Sequence, residues 1–202
     1  MRRIIILVFA SMIAWSVSAQ ITWHVRGGVG SSSVGTEYDG DIDIKTKIVG
    51  KVGMGLEIPF DADWLLMSSL EIAGKGVKFV DDKACVDYDL FLYYAQIPIN
   101  VAYRLNLSNY WNMVFKAGIY LAYAFSGKDK NESIVEGMLV GAWGEYEYYT
   151  RHFDFGLNVG IDFEYHRFVF GFEYEPGFIP IIEDEYVKGC NSVGYVTIGY
   201  KF

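Results

Sequence analysis

Three histidines, His24, His152 and His166, are the side chains of this 202-residue chain best suited to move a proton near neutral pH. His24 lies on the charged phase of an alternating stretch, His166 lies in a short polar break, and His152 precedes Asp154 by two residues. Only His152 stands at the outer end of a strand, where an enzyme of a membrane surface would work. A catalytic set needs a nucleophile or second carboxylate within about 3 Å of it. Ser126, Ser133, Glu183 and Asp184 are tied to it by no spacing. The sequence therefore predicts a solvated histidine and no catalytic residue. An envelope enzyme is kept as the alternative, to be tested by loss of activity on His152→Ala.

Other chemistry-bearing groups fall in polar stretches. Glu37, Asp39, Asp41 and Asp43 alternate, and Glu183, Asp184 and Glu185 are consecutive. Neither has the twelve-residue calcium loop with its closing Glu, so solvated acidic loops are expected, with no metal and no cofactor. Cys85 and Cys190 fit no zinc spacing. In an oxidising compartment they are candidates for one loop-to-loop disulfide, with two free thiols as the other outcome. Trp143, Tyr146, Tyr148 and Tyr149 cluster in one polar stretch, Ser126 to Arg151. Aromatic clusters anchor interfaces, so these four are the candidate binding residues for an envelope or extracellular protein partner. The alternative is that Glu145 to Tyr149 extends the neighbouring strands.

The elements that must position these groups are read from an alternation of period two, the strand period. Eight segments show it. The longest apolar phases are Val52, Met54, Leu56, Ile58, Phe60; Phe115, Ala117, Ile119, Leu121, Tyr123, Phe125; and Phe153, Phe155, Leu157, Val159, Ile161, Phe163, Tyr165. The last segment carries Val196, Ile198, Tyr200 and the terminal Phe202. Short breaks at Asp61 to Asp63, Asn106 to Tyr110 and His166 to Arg167 alternate with long ones. The long breaks are Ser31 to Lys47, Phe79 to Asp89, Ser126 to Arg151 and Pro176 to Cys190. Short turns at one end and long loops at the other are the plan of an outer-membrane barrel, turns periplasmic and loops extracellular. With an even strand number both ends of the barrel chain are periplasmic.

Charge gives the stronger test. The apolar phase carries no charged residue in any of the eight segments. The opposite phase carries Arg26, Lys51, Lys75, Arg104, Lys116 and Lys201 against Glu57, Glu71, Asp154, Asp162, Glu164, Glu173 and Glu175. A soluble ligand-binding barrel reverses this, with its apolar face inside. An all-β fold is therefore predicted, an eight-stranded antiparallel up-and-down transmembrane β-barrel, monomeric, with outer-membrane lipid as its partner. Eight strands enclose a lumen that side chains fill, so the facing charges are expected to plug it as ion pairs. Aromatics are 17% of the chain and fall near strand ends, as interfacial girdles do.

Arg2 and Arg3, the apolar run Ile4 to Val17 and the small Val17-Ser18-Ala19 read as a secretory signal peptide, residues 1–19, cut before Gln20. The barrel domain is then 20–202. Without Arg2 and Arg3 the chain has 15 Lys plus Arg against 25 Asp plus Glu, a balance of −10, which excludes nucleic acid as a partner.

The signal ending Ser18-Ala19-Gln20, Leu70-Glu71-Ile72 followed by Gly74-Lys75-Gly76, and Gln96-Ile97-Pro98 carry a further likeness. So do Lys116-Ala117-Gly118-Ile119-Tyr120, Phe153-Asp154-Phe155-Gly156 and the closing Gly199-Tyr200-Lys201-Phe202. Over these motifs the chain resembles the PorT-like group of small outer-membrane β-barrel proteins. The resemblance implies insertion by the outer-membrane assembly machinery, which reads an aromatic-ending last strand, so Tyr200 and Phe202 are the assembly-signal residues. That signal prefers Gly where this chain has Thr197. It also allows a role as an accessory of protein secretion, and it transfers no catalytic residue.

Overall fold

The structure is a computed structural model and describes residues 21–36, 43–81, 86–129, 149–150, 152–183 and 188–202. Ten strands follow one another: β1 (Thr22–Thr36), β2 (Asp43–Lys45), β3 (Lys47–Pro59), β4 (Trp64–Asp81), β5 (Val86–Asn106), β6 (Trp111–Asp129), β7 (Tyr149–Thr150), β8 (Phe153–Tyr165), β9 (Phe168–Glu183) and β10 (Lys188–Lys201). Eight form the wall, in the antiparallel order β10-β1-β3-β4-β5-β6-β8-β9. β10 pairs with β9 on one side and β1 on the other, which closes the ring and leaves no edge along its middle. The two short strands sit at the loop end, β2 against β4 and β7 against β9.

Closure follows from the pattern. The two faces of every wall strand need opposite surroundings, and a closed sheet supplies one continuous outside and one continuous inside. Val52 is 60% exposed, Leu70 59% and Ile198 57% on the outer face, while Lys75, Asp154 and Glu175 on the inner face are completely buried. Among the described residues no helix is long and apolar enough to cross a membrane; the strands do the crossing. β8 has 13 residues, and at about 3.3 Å per residue and a tilt of roughly 40° it rises about 30 Å, slightly more than the apolar band of such barrels.

Several strands run further than the alternation indicated. β5 has 21 residues and β4 has 18, so the long break expected at Phe79 to Asp89 is mostly a β4–β5 ladder, with Phe79 opposite Tyr88 and Asp81 opposite Val86. Backbone pairing between these strands thus runs on through a stretch that the sequence marks as polar. The three short turns fall as expected, around residues 60–63, 107–110 and 166–167.

The closing strand is held to its last residue. The Phe202 amide donates to the Trp23 carbonyl at 2.9 Å, and Phe168, Tyr200 and Phe202 follow one another edge to face at 5.4 and 5.5 Å. Thr197 has glycine on both sides, Gly28 on β1 and Gly171 on β9. A β-carbon at Gly28 would lie 2.8 Å from Thr197 Cγ2, and one at Gly171 would lie 2.5 Å from its Oγ1. Thr197 thus occupies space that its two glycine neighbours leave open.

Candidate functional site

The charged groups of the inner face meet in three tiers. Nearest the turns, Glu57 accepts from Arg104 Nη2 at 2.6 Å and from Lys201 Nζ at 2.8 Å. Glu164 accepts from Lys201 at 2.5 Å, Arg104 at 3.2 Å and Asn112 at 3.3 Å. An apolar cluster of Leu65, Met67, Ala102 and Val114 fills the inner wall beside them.

The middle tier centres on Glu173, whose carboxylate accepts from Lys51 and, at 2.5 Å, from Lys116, with Arg26 at 3.6 Å. Asp162 takes the other side of the same cations, 2.6 Å from Arg26 and 3.1 Å from Lys116. These contacts depend on Gly160, which lies between Lys116 on β6 and Glu173 on β9. A β-carbon there would stand 2.8 Å from Lys116 Cε and 3.2 Å from Glu173 Cγ.

Toward the loops, Glu175 accepts from Gln96, Asn158 and Lys51 at 3.0–3.1 Å. Asp154 Oδ2 accepts from Lys75 and Tyr120, both at 3.1 Å, and from Asn191 at 2.9 Å. Lys75 Nζ lies 3.8 Å from the centre of the Tyr120 ring and 5.3 Å from that of Tyr94. Val49, Val193 and Tyr195 pack above, and the Tyr195 hydroxyl donates to the Gly74 carbonyl at 3.0 Å.

All six cations and seven carboxylates expected inside are there, and only Arg104, with 26% of its side chain exposed, is not buried. Every one has an opposite charge within 4 Å. Buried charge is tolerated only when so paired. A cavity of about 20 Å³ beside Met67, Pro98, Asn100 and Asn158 has room for about one water molecule. The geometry makes a plug.

The other expected site residues are less gathered. His152 is exposed and stacks on Tyr123 at 5.7 Å, while Asp154, two residues on, points inward to Lys75, so the two form no catalytic pair. Trp143, Tyr146, Tyr148 and Cys85 lie outside the described residues, as do residues 1–20, Glu37, Asp39, Asp41, Asp184 and Glu185. The backbone of Tyr149 is described: it pairs with β9 opposite Glu183, beyond the end of β8 on the same side of β9, so at Tyr149 the expected strand extension is that of β8, while Glu145 to Tyr148 lie outside the described residues. Cys190 is half-buried in β10 opposite Gly35. Among the described residues no group of three His, Cys, Asp or Glu is placed to hold a metal ion.

Sequence reasoning missed the inner tyrosines Tyr94, Tyr120 and Tyr195, each completely buried. The signal was present: they share the phase of Gln96, Lys116 and Thr197, the polar phase, where an aromatic cannot serve a lipid-facing girdle.

The model of the outer membrane protein β-barrel domain family matches residues 14–183. Among solved structures, OprG from Pseudomonas aeruginosa is 14% identical, with 91% of this chain and 97% of that one covered and a TM-score of 0.52. Ail from Yersinia pestis, solved with the heparin analogue sucrose octasulfate, is 15% identical over 91% of this chain and 99% of its own, at 0.45. Neisserial surface protein A is 12% identical over 89% and 97%, at 0.49. No curated protein matches the chain by sequence.

Proposed function

Because the chain belongs to the outer membrane protein β-barrel domain family and resides in the outer membrane, we propose that it serves as an envelope scaffold, a sealed barrel presenting its loops to protein partners. The observation that carries this reading is the three-tier plug. Paired side chains fill the lumen, and this favours the loop end as the working surface. Trp143, Tyr146, Tyr148 and Tyr149 are the contacts of choice there, since aromatic side chains give large contact area at small entropic cost. The narrower PorT-like kinship, and with it an accessory part in protein secretion, belongs to the same proposal. So do the signal peptide 1–19, insertion by the assembly machinery through Tyr200 and Phe202, and a Cys85–Cys190 staple across the loops.

The test is deletion of Asn131 to Gly144 followed by crosslinking and pull-down from intact envelopes, with heat-modifiable migration confirming that the variant folds. Loss of a crosslinked partner from a folded variant is the expected result. An unchanged set of partners, or stepwise single-channel conductance from the purified barrel, would overturn the reading.

A further inference from the structure

At the turn end, the β8–β9 connection consists of two residues, His166 and Arg167, between the paired Tyr165 and Phe168. His166 has φ = 53°, and among the described residues it is the one non-glycine with a positive φ. A β-carbon disfavours that conformation, and glycine is the ordinary choice there. Retained strain of this kind points to a side chain kept for what it does.

The imidazole sits 4.8 Å from the Tyr110 ring, tilted at 32°, and 4.7 Å from the Tyr165 ring, edge-on at 84°; Tyr165 in turn packs on Trp111 at 4.7 Å. The backbone of the turn is pinned from both sides. His166 N–H donates to the Tyr110 carbonyl at 3.2 Å, and Lys201 N–H donates to the Arg167 carbonyl at 2.8 Å. Arg167 therefore leaves a rigid support, and its side chain is exposed with no ion-pair partner among the described residues. The described lumen cations all have carboxylate partners. The acidic turn of Asp61 and Asp63 joins β3 to β4, on the opposite side of the ring.

We propose that His166 and Arg167, framed by Tyr110, Trp111 and Tyr165, form a binding site for the phosphate of an anionic phospholipid in the periplasmic leaflet. The level is right, because Trp and Tyr girdles sit among the headgroups. The chemistry is right as well. A guanidinium offers a planar pair of donors matched to phosphate oxygens, the imidazole N–H adds a third donor, and the acyl chains lie along the apolar wall formed by Phe163, Tyr165, Phe168 and Phe170. Phosphate is also the abundant anion at that depth, and among the described residues no carboxylate lies within 4 Å of the Arg167 guanidinium.

The test uses the full barrel folded in dodecyl maltoside, titrated with dioleoylphosphatidylglycerol and read by native mass spectrometry. Wild type retains the lipid, and Arg167→Gln weakens retention about fivefold, the factor that one arginine beside an anionic headgroup contributes. Arg167→Lys, a point charge without the planar fork, falls between. His166→Gly separates structure from binding: it raises the urea midpoint of unfolding while lowering lipid retention. Retention unchanged in Arg167→Gln overturns the site, and retention unchanged in His166→Gly removes His166 from it. Displacement of the lipid by an equal concentration of inorganic phosphate, or equal retention of phosphate-free diolein, also overturns the proposal.

Discussion

Replacing Lys75 by Met measures how dry the plug is. Lys75 Nζ is fully buried, 3.1 Å from Asp154 and 3.7 Å from Glu175. Met keeps the volume and removes the charge. Asp154 then has Tyr120 and Asn191 as donors but no cation, and the lumen holds five cations against seven carboxylates. Breaking a buried pair by deleting one partner costs about 3–5 kcal/mol because the other charge is left uncompensated. Asp154→Asn leaves Lys75 with Glu175 and is expected to cost less, about 2–3 kcal/mol. The double variant restores the balance, so its cost falls short of the sum by a coupling of about 2–3 kcal/mol. Urea unfolding in phospholipid vesicles, followed by Trp fluorescence and by the heat-dependent gel shift, yields all four corners of the cycle. Raising salt from about 0.1 to 1 M should leave the coupling intact, since ions screen exposed pairs and not buried ones. A coupling below about 0.5 kcal/mol, or one that disappears in salt, would refute the sealed lumen and admit water to the upper tier.

Four further outcomes are expected. Gly160→Val forces Lys116 and Glu173 apart and costs at least about 1–3 kcal/mol, whereas Gly194→Ala, with nothing within 4 Å of the added carbon, stays within about 0.5 kcal/mol; urea midpoints compare them. His166→Gly relieves the positive φ and raises stability by about 1 kcal/mol, read as a higher urea midpoint. The described tryptophans Trp23, Trp64 and Trp111 all stand at the turn end, so brominated lipids quench their fluorescence best when the bromine lies near the headgroup and least when it is at the chain end. Removing Phe202 frees the Trp23 carbonyl and ends the aromatic ladder, and it slows membrane insertion, followed as the appearance of the fast-migrating unboiled band.

The eight wall strands were legible because a sheet with lipid on one side and charge on the other leaves a period-two record at every residue. The phase put Arg26, Lys51 and Glu173 on one face, and the uncharged, aromatic-rich character of the other face put theirs inside. Which groups pair was not legible. Arg26 and Asp162 are 136 residues apart, and their meeting depends on the stagger between strands, which alternation does not encode. The ends of β4 and β5 escaped for a different reason. Val86 to Asp89 pair with Lys78 to Asp81; Val86, Tyr88 and Leu90 do alternate with Asp87 and Asp89, but the run is short and follows Asp81-Asp82-Lys83, so it reads as part of a polar break. At the turn end the identity of His166 gave no warning of its conformation, since two-residue hairpins of this kind usually announce themselves with glycine or asparagine.

Thr197 shows how far register changes the meaning of a single residue. In the sequence it stands where the closing-strand signal prefers glycine, and it reads as a weakened signal. In the barrel it lies between Gly28 and Gly171, and its hydroxyl and methyl occupy space that side chains on those neighbours would claim. The row across three strands here carries one glycine on either side of a threonine. The same exchange explains the middle tier, where Gly160 lies between Lys116 and Glu173 so that two long side chains can meet over it. Small residues on the inner phase are therefore counterparts of the large polar ones beside them. A chain that adds bulk to one member of such a row must remove it from the next, and so Gly171 and Gly160 constrain the lumen as tightly as the charges do.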